Sequence, residues 1–117
     1  MRKNTFSSKK EIQEAIREQI TTVPSQAIKA MLRVYEYQTE DEQESESTSK
    51  LNGVGFTGTD AFIMTSFCKQ YERKSRLSEK QVSLIMSKIG KYARQLTNHA
   101  IEKGMYVKKG KLWVVAV

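Results

Sequence analysis

The 117 residues contain one cysteine, one proline and one histidine. A lone cysteine, Cys68, excludes an intramolecular disulfide and any CxxC zinc site. One cysteine and one histidine, His99, suit a reducing cytoplasm. Long apolar runs are also missing. Nothing approaches the roughly 20 residues needed to cross a bilayer, so no membrane association is expected. The opening Met1-Arg2-Lys3-Asn4-Thr5-Phe6 leads into serine and lysine rather than an apolar h-region, so no secretory signal is expected either. The expected location is the cytoplasm.

Length sets a second exclusion. A chain of this size is one domain, which rules out a large multi-domain enzyme. With 38 % hydrophobic and 28 % charged residues, it can build one modest core. His99 stands alone late in a helical stretch, where a surface or hydrogen-bonded histidine is the ordinary role. Cys68 falls on the apolar side of another helix and reads as core. The expectation is a non-enzymatic protein with no catalytic residue, no metal site and no cofactor.

What the sequence has is an uneven charge. Residues 1–49 hold seven Lys/Arg against nine Asp/Glu, and residues 50–117 hold thirteen against four. A basic half of this kind points to a polyanion as partner. Between Glu40 and Glu46 lie five acids in seven residues with nothing apolar to bury. The run reads as a solvated helix extension or a loop, and self-repulsion favours the loop.

Periodicity orders the chain as helix, helix, break, helix, turn, helix and hairpin. Residues 1–8 read as a flexible start, and Ser7 or Ser8 is positioned to cap a helix over Lys9–Thr21, whose Ile12, Ile16 and Ile20 share a face. Pro24 disfavours a helical Val23 and suits a first turn, so a second helix begins there. Ala27, Ile28, Met31, Leu32 and Tyr35 form its apolar stripe, and the two helices make an αα-hairpin. Residues 39–58 are read as an acidic, then glycine-rich, connecting segment, and 59–117 as the basic helix–turn–helix plus hairpin.

In that last stretch Thr59 is a candidate N-cap, with Asp60 in the first turn complementing the helix dipole. Ile63, Phe67 and Tyr71 lie on one line, with Met64 and Cys68 beside it. Ser78 and Gln81 have the spacing of a capping box. From Glu79 one long helix is expected, with Gly90 inside it marking close packing or a kink, and Gly104 ending it. Met105-Tyr106-Val107 and Leu112 to Val117 are strand-like and flank a lysine-rich turn. The fold class is thus mainly α, a single small domain with an αα-hairpin, a helix–turn–helix-like pair and a C-terminal β-hairpin, in winged-helix-like order. Tyr35, Tyr37, Phe56, Phe62, Phe67, Tyr71, Tyr92, Tyr106 and Trp113 are read as core aromatics, although Tyr106 and Trp113 also suit base stacking.

A winged-helix order would lay the second basic helix in a groove and the hairpin along a backbone. Lys80, Lys88, Lys91, Arg94, Lys108, Lys109 and Lys111 are the candidate phosphate ligands. Gly53-Val54-Gly55-Phe56-Thr57-Gly58 formally matches GxGxxG, but it has no βαβ setting and no Walker lysine, so a turn anchored by Phe56 is the favoured reading. The acidic run offers an alternative. Glu40, Asp41, Glu42, Glu44 and Glu46 can mimic phosphates and bind a protein partner. A metal-dependent nuclease using them is a third reading, though no EF-hand spacing is present.

Residues 35–96, about half of the chain, carry a string that resembles a group of small proteins of bacteriophages, plasmids and bacteria. The string includes Gln38-Thr39, Asp41-Glu42-Gln43, Thr48, Asn52 to Phe56, Asp60-Ala61-Phe62, Ser66, Gln70, Leu77 to Gln81, Lys91-Tyr92 and Gln95-Leu96. A similar stretch is attached to some superfamily-2 DNA helicases. Lys74-Ser75-Arg76 stands where the resemblance implies a glycine. The resemblance implies an accessory module near DNA metabolism, without a helicase motor, with DNA ahead of RNA as partner. The resemblance places the chain in a bacterial host cell, and the acidic run Glu40–Glu46 gives the alternative function, a phage-type inhibitor or adaptor that binds a host defence or replication protein.

Overall fold

The computed structural model describes residues 5–44 and 55–116, with side chains from 5–38 and 55–116. Five helices and a three-stranded sheet occur among them. β1 is Thr5–Phe6, α1 Lys9–Thr22, α2 Pro24–Glu44, α3 Gly58–Lys74, α4 Glu79–Lys88, α5 Ala93–Glu102, β2 Tyr106–Lys109 and β3 Leu112–Val115. The mainly helical class with a C-terminal hairpin is the one expected.

Local chemistry sets several boundaries. Ser8 accepts a hydrogen bond from the Glu11 N–H at 3.2 Å and caps α1. Val23 is extended, and α2 starts at Pro24, where the missing N–H costs nothing. Ser78 and Gln81 form the reciprocal capping box at the start of α4. The N-cap of α3 is Thr57, two residues earlier than expected, and its side chain makes no capping bond.

Four expectations are corrected. Residues 1–8 are not a flexible start throughout. Thr5 and Phe6 pair with Val114 and Trp113 of β3, giving the antiparallel order β1-β3-β2. Phe6 is 4 % exposed, its ring set edge-on to Tyr106 at 5.8 Å. Burial of one aromatic side chain drives this pairing. Second, the connecting segment does not begin at 39, because α2 continues through Glu44. Glu and Gln are good helix formers, and like-charge pairs oppose them by only a few tenths of a kcal/mol each. The side chains of Glu40, Asp41, Glu42 and Glu44, and all of Glu46, lie outside the described residues.

Third, the long helix from Glu79 is broken. Ile89–Tyr92 form a turn of 3₁₀ helix between α4 and α5. At Gly90 an added Cβ would stand 3.1 Å from the Thr21 methyl, and the Gly90 carbonyl accepts from Arg17 Nε at 3.3 Å. The break lets α1 approach the backbone closely. Fourth, Phe62 is not core. It is 88 % exposed on the outer side of α3.

The core is built by α1, α2, α3, α4, the 3₁₀ turn and α5. Ile20, Ala27, Met31, Val34, Met64, Phe67, Cys68, Ile85, Ile89, Tyr92, Ala93 and Leu96 form one apolar cluster. On α2 the buried face is centred on Ala27, Met31 and Val34, while Ile28, Leu32 and Tyr35 of the expected stripe are half-buried.

Candidate nucleic-acid interface

Lys80, Ser83, Ser87, Lys91, Arg94 and Asn98 are all exposed, at intervals of three and four residues through α4, the 3₁₀ turn and α5. Within each α-helix this spacing puts the exposed side chains along one stripe, and Lys91 stands in the turn between the two. No Asp or Glu occurs between Lys80 and Ile101. Within this stretch no acid accompanies Arg94 in sequence, whereas Lys80 follows Glu79 and Lys91 is paired with Asp60 of α3.

Two of the expected phosphate ligands are engaged elsewhere. Asp60 is fully buried, and its carboxylate receives Lys88 Nζ at 3.3 Å and Lys91 Nζ at 2.8 Å. Tyr92 donates its hydroxyl to the same carboxylate at 2.7 Å. The Thr57 N–H in turn donates to the Tyr92 hydroxyl oxygen at 3.1 Å. Burial pushes the Asp60 carboxyl up, but the hydrogen bonds from Lys91, Tyr92 and Lys88 together outweigh it and hold the group below its ordinary value. The hydrogen bond to Asp60 raises Lys91 above the usual lysine value. Burial raises Tyr92 above the usual phenol value. Lys88 has 30 % of its side chain exposed and Lys91 has 48 %. Lys91 thus belongs both to the buried cluster and to the stripe, and Lys88 chiefly to the cluster.

The same cluster holds Gly55, Phe56 and Thr57 of the glycine segment, whose Gly53 and Val54 lie outside the described residues. The Gly55 N–H donates to Gln95 Oε1 at 2.7 Å, and Gln95 Nε2 donates back to the Gly55 carbonyl at 3.2 Å. The Phe56 N–H donates to Gln38 Oε1 at 2.9 Å, and the Phe56 ring lies edge-on to Tyr92 at 5.6 Å. Three consecutive backbone donors, at Gly55, Phe56 and Thr57, are therefore spent on side chains. They form no phosphate cradle, and the anchored turn is what the residues build.

The hairpin lysines are exposed but do not share one face. Lys108 pairs with Trp113 and Lys109 with Leu112, so the two side chains leave opposite sides of the sheet. Lys111 stands beside Gly110 in the two-residue turn. Lys9 Nζ lies 5.9 Å from the centre of the Trp113 ring, and Tyr106 is edge-on to Phe6. Both aromatics are engaged with the N-terminal elements.

No known family, curated protein or solved structure matches the chain.

The described residues include no group of three or more His, Cys, Asp or Glu able to hold a metal. Burial, helped by the Glu72 charge, pushes the Cys68 thiol up to about 12. His99 stacks on Tyr37 with ring centres 3.6 Å apart and faces Glu102 at 3.5 Å. None of the described helices is long and apolar enough to cross a membrane.

Sequence reasoning missed Gln38, Gln70, Tyr92 and Gln95 as hydrogen-bonding residues, and it read Asp60 only as a dipole partner. All five make contacts between residues far apart in sequence, which local spacing does not reveal.

Proposed function

We propose that the chain is a non-enzymatic nucleic-acid-binding accessory protein that works near DNA metabolism in the bacterial cytoplasm, of the kind carried by phages and mobile elements. The observation that carries the reading is the set of exposed cations Lys80, Lys91 and Arg94 across α4, the 3₁₀ turn and α5, of which Lys91 is also paired with Asp60. Exposed cations spaced along one helical face are suited to successive phosphates, and each phosphate neutralised releases counterions. The exposed lysines at 108, 109 and 111 extend the available charge onto the hairpin. The link to DNA metabolism and to phages rests on the resemblance of residues 35–96.

Fluorescence anisotropy with labelled duplex DNA, single-stranded DNA and RNA tests the reading. Binding is expected at 50 mM salt and to weaken by orders of magnitude toward 200 mM. Lys80→Glu with Arg94→Glu abolishes it. Absence of any shift at low salt overturns the proposal. Cleavage of the DNA in Mg²⁺ or Mn²⁺ overturns its non-enzymatic part.

A further inference from the structure

Phe62 is the residue the core does not explain. Among the described residues the other large hydrophobics that reach solvent are Val23, Met105 and Leu112, at 40–46 % exposure, against 88 % for Phe62. A phenyl ring this open gains nothing from packing and leaves apolar surface in water. It stands in the first turns of α3. Ser66, Lys69 and Arg73 follow at intervals of four, three and four residues, all exposed. Those intervals put the four side chains on one line, with Lys69 about 10 Å and Arg73 about 16 Å along the axis from Phe62. They line an open depression of about 870 Å³ together with Ala61, Thr65 and Glu72.

The composition of this face selects its occupant. Among the described residues that line it, Phe62 is the one large apolar side chain, and the others are small, hydroxylic or charged. A protein-docking centre needs several well-packed apolar neighbours around its anchor, and they are missing here. A single flat ring followed by cations is the arrangement that receives an unpaired base and its flanking phosphates. Glu72 borders the same depression. Against it stand Lys69 and Arg73 on the face, and Lys74, Arg76 and Lys80 beyond it, all exposed. These cations continue along the chain from α3 through the Ser75–Ser78 turn into the start of the α4 stripe. The helix C-terminus accounts for Arg73 and Lys74 as dipole partners, but it gives no reason for Phe62.

We propose that Phe62 is a stacking platform for a base of single-stranded nucleic acid, with Lys69 and Arg73 holding the adjacent phosphates. The proposal rests on the nucleic-acid-binding reading and makes it specific for unpaired strands. A duplex, whose bases are already stacked, has nothing to offer the ring.

The test uses the full chain, a fluorescein-labelled 20-nucleotide oligo-dT and a 20-base-pair duplex at low salt. The variants are Phe62→Ala, Phe62→Leu and Phe62→Tyr. Because Phe62 is so exposed, all three are expected to keep the thermal melt of the parent, which circular dichroism checks. Phe62→Ala and Phe62→Leu weaken oligo-dT binding about fivefold to a hundredfold. Phe62→Tyr retains it, and duplex binding stays unchanged throughout. If Phe62→Ala binds oligo-dT as tightly as the parent while salt-sensitive binding persists, the stacking role is overturned and the broader reading survives. Retention by Phe62→Leu also overturns stacking, since it shows a merely apolar contact. If the parent binds neither probe, both proposals fall.

Discussion

Gln70 and Gln81 bind each other twice. Gln70 Nε2 donates to Gln81 Oε1 at 3.0 Å, and Gln81 Nε2 donates to Gln70 Oε1 at 2.9 Å. Gln81 Oε1 also accepts the Ser78 N–H at 2.8 Å as its half of the capping box. One side chain therefore starts α4 and ties it to the last turns of α3, fixing how the two helices meet across a four-residue turn. Gln81→Ala is expected to cost about 2 kcal/mol and Gln70→Ala about 1 kcal/mol, from the hydrogen bonds each removes. Urea denaturation of both single variants and the double variant gives the coupling. Shared bonds predict a double variant less damaged than the sum, by about 1 kcal/mol. Strict additivity contradicts the pairing.

Asp60 gives the protein an acid-sensitive contact. Its folded pKa lies below the ordinary value of 3.8. The stabilisation is therefore complete above that value and is lost as pH falls through the lower, folded one. Lys88 and Lys91 are partly solvated, so the contribution stays below that of a fully buried ion pair. Asp60→Asn is expected to lose about 1–3 kcal/mol at pH 7. The gap from the parent narrows below about pH 4, where the carboxylate of the unfolded chain begins to protonate while the folded one stays ionised. Thermal melts at pH 7, 5, 4 and 3 follow it, and a gap that widens on acidification contradicts the assignment.

Features written in adjacent residues were legible from the sequence. Ser8, Pro24 and the Ser78–Gln81 box act within one turn, and their positions follow from local hydrogen-bonding needs. Features decided by distant residues were not. The pairing of Phe6 depends on Trp113, more than a hundred residues away. The break at Gly90 depends on Arg17 and Thr21 in α1, and the burial of Asp60 on Lys88, Lys91 and Tyr92 in the α4–3₁₀ segment. The candidate interface was legible in part for the same reason. Composition revealed the cations but not which of them a buried carboxylate had already engaged. Phe62 read as core because an aromatic near an apolar line is usually buried, and only the phase of α3 against α2 and α4 turns it outward.

Gly55 is irreplaceable for two separate reasons. Its φ is +93°, and an added Cβ would lie 2.8–2.9 Å from the side chain of Gln38. Gly55→Ala combines backbone strain with a clash against a residue that holds the Phe56 N–H. A loss of about 2 kcal/mol or more is expected. Gly58→Ala is the matched comparison, because nothing lies within 4 Å of its added Cβ. It is expected to be neutral or slightly stabilising at the start of α3. Equal melting temperatures for the two variants would show that the turn is not constrained as described.

Cys68 is expected to be chemically silent in the folded protein. Its thiol is fully buried, and its pKa of about 12 leaves almost no thiolate at neutral pH. A disulfide reagent at pH 8 should label it only as fast as the protein unfolds, and at once in 6 M guanidinium. Rapid labelling of the native chain would contradict its place in the core.

Lys88 and Arg94 separate charge that supports the fold from charge that faces solvent. Lys88 is hydrogen-bonded to buried Asp60, whereas Arg94 stands exposed on the stripe with no acid near it in sequence. If each cation acts where its surroundings place it, Arg94→Ala lowers the slope of log K against log salt by about 0.9 on duplex DNA, or about 0.7 on a single strand. It leaves the melting temperature unchanged. Lys88→Ala does the reverse. It removes one of three donors to Asp60 and lowers stability by about 1 kcal/mol, with little change in slope. Salt titrations and melts on the two variants form a crossed comparison. A slope change of equal size in both would mean that Lys88 leaves Asp60 for phosphate, making the buried carboxylate a competitor for the bound strand.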